Sequence, residues 1–309
     1  MRVLITGGAG FIGSHVADAC MAAGHTVSVV DDLSCGKRSN VPDGAAFYEI
    51  DIRSDGLAGV FSELAPEVVL HQAAQMNVTY SVEQPQVDAS INVLGSVNVL
   101  QQCVRHKVRK IIYASSAGAV YGEPTALPVT EETVPKPISH YGASKLAIEH
   151  YLHVYSYIYG LTYTILRYGN VYGPRQLRHG EAGVVPILLD ALRKGTSPKL
   201  YGMGEPVRDY VYVGDVARAN MAALEKGHND CFNVSTGRGT SVRELYGHLM
   251  RLTSLEVEPE LHPLRSGEVL SIITSPAKAG GGLNWRAEVG LSEGLDATIQ
   301  SFEADATKL

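Results

Sequence analysis

Two groups of residues in this chain have the types and spacing that chemistry needs. Tyr141 and Lys145 stand in Tyr-Gly-Ala-Ser-Lys, an i,i+4 spacing that puts both side chains on one face of a helix. A phenol with an ordinary pKa of about 10 is a poor base at neutral pH. A neighbouring ammonium favours the phenolate and makes it a usable proton acceptor. Upstream, residues 6–13 read Thr-Gly-Gly-Ala-Gly-Phe-Ile-Gly, so that Gly7, Gly10 and Gly13 close a β-branched run and open a helix. Such a turn lets backbone approach a pyrophosphate while the helix N-terminus, with Phe11 and Ile12 in its first turn, faces the phosphates. A dinucleotide turn followed by a tyrosine–lysine pair implies redox chemistry on an alcohol or a ketone.

Later residues refine the cofactor. Asp31 closes the second predicted strand, where a carboxylate accepts both adenosine ribose hydroxyls and repels a 2′-phosphate, so NAD is expected over NADP. Lys37 and Arg38 could receive that phosphate, but Asp31 stands in the way. Asp32 reads equally as a residue that starts a turn. Asp51 and Ile52, after the third strand, are placed to flank the adenine. Ala73 and Ala74, after the fourth, are small where backbone must approach the cofactor.

Those residues need a scaffold, and the sequence outlines one. Near-continuous apolar runs at Arg2–Thr6, 26–30, 46–50, Val68–His71, 110–114 and 163–167 read as strands. Helices are expected over 11–23, 85–107 and 141–159, with Gly24 and Gly160 as stops. Alternation of this kind implies an α/β, Rossmann-type doubly wound parallel sheet buried on both faces. After Arg167 glycine and proline punctuate the chain, although 211–213 and 232–234 still read as strands of the main sheet. The expected division is a cofactor-binding domain over 1–170, with strands near 210–234, and a smaller discontinuous substrate lobe over 171–209 and 235–309.

Composition excludes several classes. The 309 residues carry a net charge of −6 and are 45% hydrophobic and 19% charged, which gives no reason to expect nucleic-acid or membrane binding. Met1-Arg2 runs straight into Val3-Leu4-Ile5, and no apolar stretch approaches the roughly 20 residues of a membrane span. A cytoplasmic protein is expected. Cys20, Cys35, Cys103 and Cys231 are scattered, and the eleven histidines lack ligand spacing, so no metal site is indicated and His71 and His140 read as structural.

Residues 6–15 (TGGAGFIGSH), 31–34 (DDLS), 115–122 (SSAGAVYG), 141–145, 166–175 (LRYGNVYGPR) and 207–213 (VRDYVYV) together resemble the extended short-chain dehydrogenase/reductases. Within them the likeness is to the UDP-glucose/UDP-galactose 4-epimerases. The resemblance implies tightly bound NAD and adds Asp32, Leu33, Ser34, Gln72, Asn92 and Tyr168 to its site. It implies that Asn170 contacts a sugar diphosphate, that Arg208 and Arg265 bind the nucleotide, and that Glu268 stands where the family has an aspartate. Val184, Val185 and Tyr201 resemble the segments around the nucleotide base. In the family a hydroxyl beside the tyrosine sits four residues before the tyrosine of the VYG motif, and Ala117 occupies that place here. The role passes to Ser116, one residue earlier, with Ser115 as the fallback.

The same resemblance separates reactions. Related dehydratases place Asp-Glu just before the VYG-like motif and decarboxylases keep a Glu, whereas this chain has Gly118-Ala119. What remains is 4-epimerisation through a transient 4-keto sugar, with Tyr141 taking the C4 hydroxyl proton and Ser116 sharing that hydrogen bond. Alternatives are an epimerase of another UDP-sugar (an N-acetylhexosamine or a uronate), a net NAD-dependent sugar-nucleotide dehydrogenase or reductase, or a catalytically silent NAD-binding protein. Helices 85–107 and 141–159 resemble the pair that joins family subunits in a four-helix bundle, so a homodimer is expected.

Overall fold

The computed structural model describes residues 1–176, 183–265 and 269–306. Its centre is a seven-stranded sheet in which every pairing is parallel. Six strands are β1 (Arg2–Thr6), β2 (Thr26–Asp31), β3 (Ala46–Glu49), β4 (Val68–His71), β5 (Lys110–Ser116) and β6 (Thr162–Tyr168). The seventh is Asp230–Val234, at the edge beyond β6, and the order across the sheet is seventh, β6, β5, β4, β1, β2, β3. The direction of winding reverses between β1 and β4, which opens a crevice beyond their carboxyl ends.

The unbroken apolar runs are explained by what covers each face. Val3, Ile5, Val68, Leu70 and Ile112 pack against Val16 and Ala17 of α1 (Phe11–Ala22) and against Val216 and Ala219 of the helix Val213–Ala223. The alternate residues Leu4, Val69, Ile111 and Tyr113 pack the other way, against Val99, Leu100, Ile148 and Leu152. Ile148 and Leu152 belong to the helix His140–Tyr159. The Ser139 side chain caps that helix by accepting the Gly142 N–H at 3.1 Å. Its other end stops at Gly160, whose φ of 71° suits a residue without Cβ. These two stops set Tyr141 in the first turn and Lys145 in the second.

Two expectations are corrected. The helix expected over 85–107 is three pieces: Pro85–Ala89, a π-turn at Ser90–Gly95, and Ser96–Arg105. The wider turn falls where the buried Asn92 hydrogen-bonds outside its own helix, to Gln75. Gly95 is packed so closely that a Cβ there would lie 2.7 Å from Ile52 Cδ1. The strand expected at 211–213 as part of the main sheet is Tyr210–Tyr212, and it pairs with Asn170–Tyr172 in a separate two-stranded sheet. The chain leaves β6 at Gly169, where a Cβ would lie 2.8 Å from the Asp209 carbonyl oxygen. Tyr172 then stacks edge-on against Tyr210 and Tyr212, with ring centroids 6.5 and 5.9 Å away. Val213 opens the helix on α1 instead of ending a strand.

A second core forms beyond these strands. Val185, Leu188 and Leu192 of the helix Val184–Lys194 meet Leu245 and Leu249 of Val242–Thr253 and Leu295 and Ile299 of Leu291–Ala306. The segment around Ala279, Leu283 and Trp285 does not join this core. It returns to the α1 face of the main sheet, where Trp285 Nε1 donates to the Asp215 carbonyl at 2.9 Å. No helix among the described residues is long and apolar enough to cross a membrane. Among them, too, no three His, Cys, Asp or Glu side chains gather as metal ligands, and the four cysteines are free.

One buried ion pair ties the helix His140–Tyr159 to the sheet. Arg167 of β6 reaches Glu149 of the helix at 2.5 Å, with both side chains under a tenth exposed. Arg167 also donates to the Tyr121 hydroxyl at 2.8 Å, and Ser115 donates to Glu149. Breaking such a pair leaves a buried charge alone, at a cost of about 3–5 kcal/mol. Glu149→Ala should lower the unfolding free energy by that order, seen as a lower urea midpoint at an unchanged denaturant slope; an unchanged midpoint would show the pair to be energetically silent.

Candidate active site

The glycine turn fits its sequence because side chains are excluded there. Gly7 has φ 71°, and a Cβ on it would lie 2.5 Å from Ala73 N. A Cβ on Gly13 would lie 2.1 Å from the Gly7 carbonyl oxygen. Gly10 N–H donates to that same oxygen at 3.2 Å and begins α1, with Phe11 and Ile12 partly exposed in the first turn. The result is a shallow backbone cradle at a helix N-terminus, the form that suits a diphosphate.

Asp31, at the end of β2, is buried beside this cradle. Its carboxylate accepts the Ala9 N–H at 3.0 Å and the Leu33 N–H at 2.9 Å. Burial pushes its pKa up, and these backbone donors oppose the shift. A carboxylate has about four lone-pair sites, so Asp31 keeps acceptor capacity for ribose hydroxyls. Both the cradle and the carboxylate therefore fit NAD. Asp32 is exposed and turns back on the Ser34 N–H and hydroxyl, while Leu33 between them adopts φ 58°. Asp51 is held by the Arg53 guanidinium, which keeps its carboxyl below the usual range, and Ile52 is buried under Gly95. Beyond β4, Gln72 donates to the Tyr168 hydroxyl at 3.2 Å and to Asn220 at 3.1 Å. Tyr168 is thus locked below the crevice, its phenol pushed up to about 12 by burial.

Tyr141 and Ser116 meet across the crevice. The Ser116 hydroxyl lies near enough to the Tyr141 phenol to pull its pKa down, against a larger effect of burial that holds it at about 12. Ser115 cannot share this place, because neighbouring strand residues point to opposite faces, and its hydroxyl is engaged by Glu149. Lys145 is buried and lowered to about 8 by desolvation, with Asp88 and Glu149 opposing. Its ammonium donates to the Ala114 carbonyl at 2.8 Å and lies 5.8 Å from the Tyr141 ring centroid.

The floor beneath this pair is polar and closed. Asn92 accepts the Gln75 N–H at 2.8 Å and donates to the Gln75 carbonyl at 2.9 Å, to Asp88 at 2.9 Å and to Ser144 at 3.3 Å. Gln75, Asp88 and Ser144 were not singled out from sequence. Asp88 and Ser144 are polar residues on helices, buried among apolar ones, while Gln75 lies in the loop after β4, where no periodicity marks it.

A cavity beside Ser116 is lined by Ala117, Gly118, Gly169, Asn170, Asp209, Ile272 and Thr274. A Cβ on Gly118 would make ordinary contacts, 3.5 Å from Asn170 Oδ1 and 3.9 Å from Ser116 Oγ. Asp209 is buried and accepts from the Thr236 hydroxyl and N–H and from the Gly237 N–H, which fixes the wall opposite. Arg208 is half-buried, with its guanidinium on the Val207 and Leu270 carbonyls. Arg265 lies 4.2 Å over the Tyr201 ring. Val184 is half-buried at the start of its helix, whereas the Val185 side chain is in the second core. Glu268 lies outside the described residues.

A model of the NAD dependent epimerase/dehydratase family matches residues 3–235. The UDP-glucose 4-epimerase of Thermotoga maritima, solved with UDP-glucose, is 46% identical and superposes with a TM-score of 0.97 over 99% of this chain and 100% of that one. The Thermus thermophilus UDP-glucose 4-epimerase, solved in complex with NAD, is 44% identical with a TM-score of 0.93 over 98% and 99%. The UDP-glucose 4-epimerase of Mycolicibacterium smegmatis is 42% identical across 98% of both chains. With its cradle, its tyrosine–lysine helix and these relatives of equal length, the chain belongs to the NAD dependent epimerase/dehydratase family.

Proposed function

We propose that the protein is an NAD-dependent 4-epimerase that interconverts UDP-glucose and UDP-galactose in the cytoplasm. The observation that carries this reading is the placing of Ser116 beside Tyr141, next to a cavity where Ala117, Gly118 and Ala119 offer no acid and where the Asp209 carboxylate on the wall is taken up by Thr236 and Gly237. Eliminating water or steering chemistry at a second carbon needs such an acid; reversible oxidation at one carbon does not. The three relatives are UDP-glucose 4-epimerases, and their activity is carried to this chain here.

The residues divide the work. Gly7, Gly10, Gly13, Phe11 and Ile12 would hold the cofactor diphosphate, Asp31 the adenosine ribose, and Lys145 the nicotinamide ribose. Asp32, Leu33, Ser34, Asp51, Ile52, Gln72, Ala73, Ala74, Asn92 and Tyr168 complete that site. When bound, NAD supplies reversible hydride transfer at the sugar C4. Tyr141 acts in its phenolate form, taking the C4 hydroxyl proton and later returning it, with Ser116 holding the oxygen in line. The Lys145 charge makes the phenolate less costly during that transfer. Asn170, Arg208 and Arg265 grip the nucleotide diphosphate, with Val184, Val185, Tyr201 and Glu268 around the nucleoside, which leaves the sugar free to turn about its linkage. We assign the domain of residues 1–170 and 210–234 to the cofactor and the remaining lobe to the nucleotide sugar, apart from the segment around Ala279, Leu283 and Trp285, which packs on the main sheet.

Exposed apolar side chains support a homodimer. On the helix that carries Tyr141, Val154, Tyr157 and Ile158 face outward, Tyr157 with 87% of its surface exposed, and Leu94 is exposed on the neighbouring π-turn. A patch of this kind marks an interaction surface. Ile158→Glu should convert a dimer into a monomer in sedimentation; a wild-type monomer would refute the assignment.

Activity is checked by incubating purified protein with UDP-galactose, UDP-N-acetylgalactosamine and UDP-galacturonate without added NAD, and resolving the products. UDP-glucose should form from the first, because the cofactor copurifies. Tyr141→Phe should lose at least roughly a thousandfold in kcat with NAD still bound. Ser116→Ala should lose on the order of tenfold to a hundredfold, whereas Ser115→Ala should lower the melting midpoint more than kcat. Conversion of only the N-acetyl or uronate sugar moves the substrate assignment, and a demand for added NAD with net NADH release replaces the epimerase by a dehydrogenase.

A further inference from the structure

His71 ends β4 and is buried, and neither the cofactor site nor the proton transfer just described uses it. Its ring nitrogens are both engaged. Thr6 Oγ1, at the end of β1, lies 2.6 Å from Nδ1. Ser96 Oγ, on the helix after the π-turn, lies 2.9 Å from Nε2. The neighbours decide the direction of each bond. Thr6 accepts the Ala73 N–H at 3.4 Å, so its own hydroxyl proton is free to go to Nδ1. Ser96 donates to the Asn92 carbonyl at 2.6 Å, so it accepts from Nε2–H. The ring is therefore a neutral imidazole with its proton on Nε2. Burial and the Lys145 charge agree, pushing its pKa down to about 3.

The chain of bonds continues past Ser96. The Asn92 side-chain amide donates to the Ser144 hydroxyl at 3.3 Å, and Ser144 donates to the Tyr141 carbonyl at 3.0 Å. Every donor points one way, from Ala73 through Thr6, His71 and Ser96 to Asn92, then from Asn92 through Ser144 to Tyr141. Ala73 is the residue whose backbone nitrogen sits against Gly7. One end of the chain thus lies under the glycine cradle and the other on the backbone of the tyrosine.

We propose that His71 is a positioning residue of the epimerase reaction: as the neutral Nε2–H tautomer it sets the distance between the cofactor cradle and Tyr141 through Thr6, Ser96, Asn92 and Ser144. The proposal rests on the epimerase reading above. A planar ring with an acceptor on one side and a donor on the other spans the two hydroxyls without a rotatable bond between its nitrogens. A tyrosine misplaced against the sugar C4 by about an ångström loses on the order of a hundredfold in rate.

The test uses the purified NAD-loaded protein and UDP-galactose. His71→Asn keeps a polar atom towards Thr6 and loses the arm to Ser96; His71→Gln places an amide N–H near the Nε2 position. His71→Asn should lower kcat by roughly tenfold to a hundredfold while KM and bound NAD per chain stay near wild type. His71→Gln should recover much of that loss. Ser144→Ala should lower kcat similarly, and the double variant should be no worse than the poorer single, as members of one network behave. Wild-type kcat in His71→Asn, multiplied losses in the double variant, or a loss that tracks departed NAD would overturn the proposal. Should His71→Asn fail to fold, Ser144→Ala decides alone, and wild-type kcat there counts against it. Should the wild-type protein not epimerise any sugar offered, the function reading fails first. The chain is then judged by 15N NMR of labelled histidine: a buried ring that stays neutral and Nε2-protonated from pH 5 to 8 supports it, and a titrating or Nδ1-protonated ring overturns it.

Discussion

The contact between Gly7 and Ala73 is the constraint on which the rest of the site depends. Two backbones from β1 and β4 meet at the point where the sheet reverses its winding, and a single methyl group on Gly7 would sit 2.5 Å from the Ala73 nitrogen. That closeness brings Gly10 and α1 into line as an anion-binding end. It also sets Thr6 and His71 side by side in the register of the two strands. The cradle is thus a property of the pair of strands, and neither strand alone has one.

A second constraint works through strand alternation. Ser115 and Ser116 are neighbours, but one faces the buried Glu149–Arg167 pair and the other faces Tyr141. Structural and chemical duties are separated by one peptide unit. The buried ion pair fixes the helix against β5 and β6, and this fixes how far the phenol stands from the serine. A motif with a hydroxyl one residue later would place it on the short helix Ala117–Val120, whose first residue is buried here.

How much of this was legible in the chain depends on whether each signal is local. Glycine spacing, the apolar runs and the i,i+4 pair are local, and the structure has them where the sequence puts them. The π-turn was not legible, because it exists only where Asn92 finds Gln75 across space. The strand at Tyr210–Tyr212 has the β-branched and aromatic look of a sheet strand, yet the exit of the chain at Gly169 decides which sheet it joins. His71 looked like an ordinary core histidine. Only the order of donors and acceptors around it, which no spacing encodes, shows that its tautomer is specified.

The pairing of β1 with β4 also bears on how the chain acquires its site. Val3 meets Val68 and Thr6 meets His71 across two complete strand–helix units of intervening chain. Contacts between such distant positions form only after the loop-closure entropy has been met, so they come late on a parallel sheet. Until they form there is no cradle, no aligned His71 and no fixed tyrosine. Dinucleotide affinity consequently belongs to the folded ensemble alone, and bound nucleotide adds its mass-action free energy wholly to the resistance of the central strands against opening.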